Sequence, residues 1–267
     1  MGRIIAVANQ KGGVGKTTTS VNLAASLANY RSRVLLVDLD PQGNATMGSG
    51  VDKHELDLSA CESIMGECHV NEAKVFSEQA GYDVLPSNSD LTAAEVGLMN
   101  ATMKEKRLKL ALGQVADNYD YIIIDCPPSL NMLTLNALVA ADGVLIPIQT
   151  EYYALEGLSA LLRTIEQIQQ HMNPELKVDG ILRTMHDLRN NLANQVSKQL
   201  TEHFGELVFT TIIPRNVRVA EAPSYGLPIM NYDKSSRGSV AYMAMASELM
   251  RRMKKQAQTT PGETNGN

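Results

Sequence analysis

The chain has 267 residues, 44% of them hydrophobic, which is enough to bury a sizeable core and fits one large α/β domain better than two small ones. Its three cysteines, Cys61, Cys68 and Cys126, form neither a disulfide framework nor a zinc spacing. The net charge of −5 speaks against a protein that is basic throughout. It hides an asymmetry, however. Residues 1–182 carry 13 Lys/Arg against 22 Asp/Glu, whereas residues 183–255 carry 11 against 6, so a basic face is expected on an acidic body.

In chain order, strands and helices alternate. The run Arg3 to Asn9 reads as a buried strand, followed by a Gly-rich loop and a helix through Leu23, Ala24 and Leu27. Arg33 to Asp40 is the next strand, and residues 52–80 read as short helices in a variable insertion. Then come a strand at 82–86, a helix over 104–117, a strand at 121–125, a helix from Asn131 and a strand at 143–148. A long helix over Glu156 to Met172 places Leu158, Leu161, Leu162, Ile165 and Ile168 on one face. Strands at 178–183 and 207–213 and a helix from about Ser239 to Gln256 complete the series. Strands that are apolar without interruption and separated by helices predict a mostly parallel, twisted sheet with helices on both faces, in a single domain. The expected boundaries are 1–256 for that domain and 257–267 for a polar, disordered tail. The most apolar stretch, Leu133 to Ile148, is cut by Asp142 and is too short to cross a bilayer, so a cytoplasmic protein is expected.

The loop, "NQKGGVGKTTT" over residues 9–19, follows a strand and opens a helix, so that backbone N–H groups and a helix N-terminus converge on an anion. Gly12, Gly13 and Gly15 let the backbone wrap closely around a phosphate. Lys16 is placed for the β- and γ-phosphates of a nucleotide and the Thr17 hydroxyl for Mg²⁺. The loop departs from the usual pattern, because Gln10 stands at the first glycine position and a second lysine, Lys11, follows it.

With "VDLDPQGNAT" (37–46), "YIIIDCPPSLNMLTLNAL" (121–138), "EYYALEGLSALL" (151–162) and "IPRNVRVAEAPSYGLPI" (213–229), the loop resembles the deviant Walker A signature of the ParA/MinD superfamily of P-loop ATPases, and most nearly the chromosomal ParA (Soj) partition ATPases. The resemblance is weakest over 52–80 and in the tail. It implies that ATP and Mg²⁺ are bound by Lys11, Gly12, Gly13, Val14, Gly15, Lys16, Thr17 and Thr18, with Pro214 and Asn216 beside the adenine. Lys11 would reach the nucleotide of a second subunit and complete a homodimer that forms only with ATP. Asp125, at the end of an apolar strand, matches the Walker B acid, Asp40 the residue that orients the attacking water, and Asp38 a support of the metal shell. Lys11, Lys16 and Asp40 thus form the expected catalytic set, and Thr17, Asp38 and Asp125 the metal set.

The same resemblance implies that the ATP-bound dimer holds nonspecific double-stranded DNA, is nucleoid-associated, and is stimulated by a ParB-type centromere-binding protein. Without tryptophan and with three phenylalanines the chain offers few platforms for base stacking, so the contact expected is with phosphates. Arg189 and Arg218 match the family's DNA-contacting arginines, with Arg183, Lys198, Lys254 and Lys255 as weaker candidates. The competing expectation is a MinD-like, membrane-cycling ATPase, for which "MAMASELMRRMKK" (243–255) would have to lie on lipid rather than pack on the core. A cluster-bridging iron protein of the same superfamily needs cysteine pairs that Cys126 alone does not supply.

Overall fold

Ile4, Ile5, Ala6 and Val7 are all at most 5% exposed, as are Leu35, Leu36 and Val37 and Ile122, Ile123 and Ile124. Strands buried on both sides read as unbroken apolar runs because helices cover each face. The computed structural model describes residues 2–259. Along the chain these form β1 (Arg3–Val7), α1 (Lys16–Asn29), β2 (Val34–Asp38), α2 (Asn44–Gly48), α3 (Ala60–Met65), α4 (Val70–Ala73), β3 (Val75–Ser77), β4 (Tyr82–Leu85), α5 (Leu91–Leu98) and α6 (Arg107–Gly113). They continue through β5 (Tyr121–Asp125), α7 (Met132–Ala140), β6 (Gly143–Gln149), α8 (Ala154–His171), β7 (Lys177–His186), α9 (Asn191–Phe204), β8 (Val208–Pro214), α10 (Val217–Glu221), α11 (Ile229–Tyr232) and α12 (Arg237–Thr259).

The strands make one eight-stranded sheet in the order β3-β4-β2-β5-β1-β6-β7-β8. Every neighbouring pair is parallel except β3 and β4. From β1 the chain builds outward to one side and later to the other, and ligands of such sheets sit at the carboxyl ends of the strands where that order reverses.

Side-chain parity along the strands divides the core in two. Ile4, Ala6, Leu35, Val37, Ile122 and Ile124 face one apolar cluster, closed by residues of α3 and α5 to α9. Ile5, Val7, Leu36, Ile123 and Leu145 face the other, closed by α1, α11 and α12. Thus Leu158, Leu161, Ile165 and Ile168 of α8 are buried, as the helical spacing predicts. Tyr242, Met245, Ala246 and Leu249 of α12 are at most 1% exposed in the second cluster. The apolar side of the segment weighed above for lipid is therefore packed on the sheet.

Four details differ from the sequence reading. The insertion contributes a short strand, β3, which pairs antiparallel with β4 and ends the sheet on that side. The helix expected over 104–117 is confined to Arg107–Gly113. Two helices not foreseen, α5 and α9, cover the first face. Finally, α12 continues to Thr259, past the expected boundary at 256, and the remainder of the tail lies outside the described residues. Among the described residues no helix is long and apolar enough to cross a membrane.

Candidate functional site

β1 ends beneath the Gly-rich loop, whose start is fixed by Asn9. The Asn9 amide nitrogen donates to the Pro147 carbonyl of β6 at 2.7 Å, and its oxygen accepts from the Lys11 N–H at 3.0 Å. Gly13 and Gly15 lie in the left-handed region at φ 72° and 86°, where a β-carbon would be strained. A β-carbon on Gly12 or Gly13 would meet nothing within 4 Å. The glycines therefore leave an open concavity of backbone at the N-terminus of the 14-residue helix α1, whose unpaired N–H groups and dipole favour an anion.

Lys16, the first residue of α1, is 7% exposed, and its ammonium donates to the Lys11 carbonyl at 3.2 Å. Burial lowers its pKa, while the charges of Asp125, Cys126 and Asp40 act the other way. A cation satisfied by one neutral carbonyl at the mouth of this concavity is suited to phosphate oxygens.

The Thr17 hydroxyl, one residue on, donates to Asp125 Oδ2 at 2.8 Å, and the Ser20 hydroxyl donates to Oδ1 at 2.8 Å. Asp125 is fully buried at the end of β5. Burial raises its pKa, the Asp38 charge raises it further, and the Thr17 and Ser20 hydrogen bonds oppose both. A hydroxyl and a carboxylate joined in this way at the edge of a phosphate cradle match the hard oxygen donors that Mg²⁺ takes in P-loop enzymes. Thr17 and Asp125 fit the metal expected of them.

Asp38 pairs with Asp125 across the β2–β5 register and is also fully buried. Its Oδ1 accepts from the Asp40 N–H at 3.1 Å, and its Oδ2 accepts from the N–H and the hydroxyl of Thr46, each at 2.8 Å. With both oxygens engaged, as those of Asp125 are, Asp38 holds the loop that carries Asp40. Burial raises its pKa against those bonds. Ser87 closes the network, since its N–H donates to the Thr46 hydroxyl at 2.9 Å and its hydroxyl to the Asp40 carbonyl at 2.9 Å. Asp40 itself is half-buried, with one carboxylate oxygen capping the Gln42 N–H at 3.0 Å.

Lys11 points elsewhere. Its ammonium pairs with Glu151, and both side chains are nearly half exposed. Tyr152 and Tyr153 follow, 73% and 67% exposed, with their rings edge to face at 5.0 Å.

Pro214 ends β8, and Asn216 caps α10 by accepting the Val219 N–H at 3.3 Å. The end of β7 connects both to the loop. Thr184 donates to the Val14 carbonyl at 2.7 Å, His186 pairs with Pro214 in the sheet, and its carbonyl accepts the Arg215 N–H at 3.1 Å. Met185 between them is left-handed at φ 48°. Val14 is buried and anchors the loop, while the Thr18 carbonyl accepts from Asn22, whose side chain also holds the Ile229 N–H.

The basic residues divide. Arg189 is held bidentately by Asp187 at 3.0 and 2.8 Å, and Arg218 lies 3.0 Å from Glu221 and 3.8 Å from Asp233; both arginines are exposed. Lys198 pairs with Glu202, and Lys254 and Lys255 lie exposed near the end of α12. Arg183 is not a surface contact. It is 8% exposed and donates to Ser197 and to the Phe209 carbonyl, filling an irregularity where β7 and β8 shift register.

Sequence reasoning missed Ser20, Thr46, Ser87, Glu151 and Thr184. Thr46 and Glu151 lie within the quoted motifs, but their partners are 8 and 140 residues away. No local pattern shows that.

The chain resembles known proteins over most of its length. A family model described as an AAA domain matches residues 2–178. The chromosome partitioning protein ParA of Myxococcus xanthus is 53% identical over 94% of this chain and 89% of its own length. The sporulation initiation inhibitor protein Soj of Bacillus subtilis is 51% identical over 93% of this chain and 98% of its own. Among solved structures, a Mycobacterium smegmatis protein described as cobyrinic acid a,c-diamide synthase, with bound ADP and magnesium, superposes with a TM-score of 0.84. It is 40% identical, covering 96% of this chain and 97% of that one.

Proposed function

This chain belongs to the ParA/Soj family of chromosome-partitioning proteins, and on that premise we propose that it is a switch in which ATP closes two copies over two nucleotides and the closed pair holds duplex DNA. It is an ATPase of the P-loop class, acting on ATP with Mg²⁺. Hydrolysis, stimulated by a ParB-type partner, opens the pair and frees the DNA.

One observation supports the dimeric reading above others: the two lysines of one loop have opposite dispositions. Lys16 is buried against its own loop, whereas the Lys11 ammonium is carried outward to an exposed carboxylate. Phosphoryl transfer redistributes negative charge over the γ-phosphate, and a cation supplied in trans meets it only when two copies close. Assembly and turnover are then coupled, because ATP favours the state in which both lysines are used.

Within one copy, the glycine cradle and Lys16 bind and orient the triphosphate. Thr17 and Asp125 would hold Mg²⁺, which when bound neutralises charge on the transferring group. Asp38, Thr46 and Ser87 fix the loop that presents Asp40 to the attacking water. The basic segment after residue 183, with Arg189 and Arg218, supplies sequence-independent phosphate contacts.

Gel filtration followed by a duplex-binding titration, each with and without ATP and at two salt concentrations, tests this. Dimer elution and salt-sensitive DNA binding that both require ATP are expected. Nucleotide-dependent binding to anionic vesicles without DNA binding would replace the partition reading with a membrane-cycling one.

A further inference from the structure

The loop that carries Asp40 is tied to the core by Asp38 and Ser87, and its tip meets a lysine from the start of the segment that reads in sequence as a variable insertion. Lys53 Nζ donates to the Gln42 carbonyl at 2.6 Å. We propose that Lys53 is a positioning residue for ATP hydrolysis, which clamps the Gln42–Gly43 peptide and through it sets the direction of the Asp40 carboxylate. The proposal rests on the role given above to Asp40 and adds to it a residue that lies outside every quoted motif.

The path from Lys53 to Asp40 is short and continuous. Asp40 Oδ1 accepts the Gln42 N–H at 3.0 Å, so the orientation of the carboxylate depends on where Gln42 sits. The Gly43 N–H donates to the Asp40 carbonyl at 2.9 Å and closes a tight turn over residues 40–43. Gln42 is exposed in that turn, and its carbonyl is held by the Lys53 ammonium. Gly43 is left-handed at φ 60°, and a β-carbon there would lie 2.6 Å from the Ser87 carbonyl oxygen and 2.8 Å from Lys53 Cδ. Ser87 and the aliphatic stem of Lys53 therefore both pack against the turn at Gly43, where only glycine leaves room for them.

Lys53 is itself anchored. The Val51 N–H donates to the Thr46 carbonyl at 3.2 Å, and Val51 is 8% exposed in the second apolar cluster, so the segment that carries Lys53 folds back on α2. Asp52 and Glu55 are close in sequence, yet the half-buried Lys53 bonds a neutral carbonyl and makes no ion pair among the described residues. A hydrogen bond from a charged donor is shorter and stronger than a neutral one, which suits it to fixing a single peptide plane. Such fixing matters for rate, because a misplacement of about 1 Å at a reacting group can cost about 100-fold.

The test measures single-turnover hydrolysis of γ-labelled ATP with Mg²⁺ by the full chain, together with calorimetric ATP affinity, ATP-dependent dimer elution and urea unfolding. Lys53→Met keeps the stem against Gly43 and removes the donor, whereas Lys53→Arg keeps both. Lys53→Met is expected to slow hydrolysis by roughly 10-fold, with affinity, dimer elution and unfolding midpoint unchanged, and Lys53→Arg to stay within about threefold of wild type. In an Asp40→Ala background Lys53→Met should slow hydrolysis no further, because its effect passes through the carboxylate that is gone. A rate unchanged by Lys53→Met, an equal loss in both backgrounds, a loss that accompanies a missing dimer or a lowered midpoint, or Lys53→Arg as slow as Lys53→Met overturns the positioning role and leaves that of Asp40 standing. Asp40→Ala hydrolysing at the wild-type rate removes both.

Discussion

Lys11 Nζ meets Glu151 Oε2 at 2.5 Å across 140 residues of chain, joining the outer lip of the nucleotide loop to the segment that follows β6. Both side chains are nearly half exposed, so the pair adds little to stability and gives way readily when a stronger anion arrives. Lys11→Ala is therefore expected to leave the unfolding free energy within about 0.5 kcal/mol of wild type and ATP binding by the monomer intact. The ATP-dependent dimer should disappear from gel filtration. Persistence of that dimer would remove Lys11 from the interface.

Lys16 has a different task. Its ammonium is buried beside the cradle with a single carbonyl for a partner, and hydrogen bonds to charged groups contribute about 1.5–3 kcal/mol. Lys16→Ala should weaken ATP binding by roughly 10- to 100-fold or more in a calorimetric titration.

Asp40→Ala should lower the hydrolysis rate by roughly 10²- to 10⁴-fold, the usual contribution of a group that handles the attacking water's proton. Because Asp40 is joined to the site through its own backbone, whose N–H donates to the Asp38 carboxylate and whose carbonyl accepts from the Ser87 hydroxyl, its side chain is dispensable for closure, and the variant should accumulate as an ATP-bound dimer that still binds DNA. Collapse to monomers with ATP would remove the role assigned here.

Thr46→Val tests the support beneath Asp40. The hydroxyl donates to buried Asp38 and accepts from the Ser87 N–H, so its loss leaves a carboxylate oxygen one bond short and an amide unpaired. A loss of about 1–3 kcal/mol in urea unfolding is expected, together with slower hydrolysis. Unchanged stability would mean that water replaces the hydroxyl.

Arg218→Glu should spare the ATP dimer and weaken duplex binding, with the salt slope reduced by about one for each copy of the residue, and so by about two in the closed pair. Arg218 is exposed, and it pairs with Glu221 and Asp233 in surface contacts of little stabilising value, so folding should change little. DNA binding equal to wild type would remove Arg218 from the DNA surface.

Much of the fold was legible in the chain. A parallel strand covered on both faces must be apolar throughout, so Arg3 to Val7, Tyr121 to Asp125 and the other strand runs announced themselves by composition, and α8 by its 3.6-residue period. β3 escaped because three residues carry no period.

The Gly-rich loop was legible in sequence alone, because such a cradle is a property of a few adjacent residues: glycines that turn left-handed, a lysine, a threonine and a helix start. What tertiary structure alone decided is which charges are spent within the chain and which are left over. Arg183 lies in the basic segment yet is consumed in the core, Asp38 is held by Thr46 and Asp40, and Arg215 and Arg237 make no ion pair among the described residues. Charge is written in composition, but its availability depends on partners brought together from distant parts of the chain.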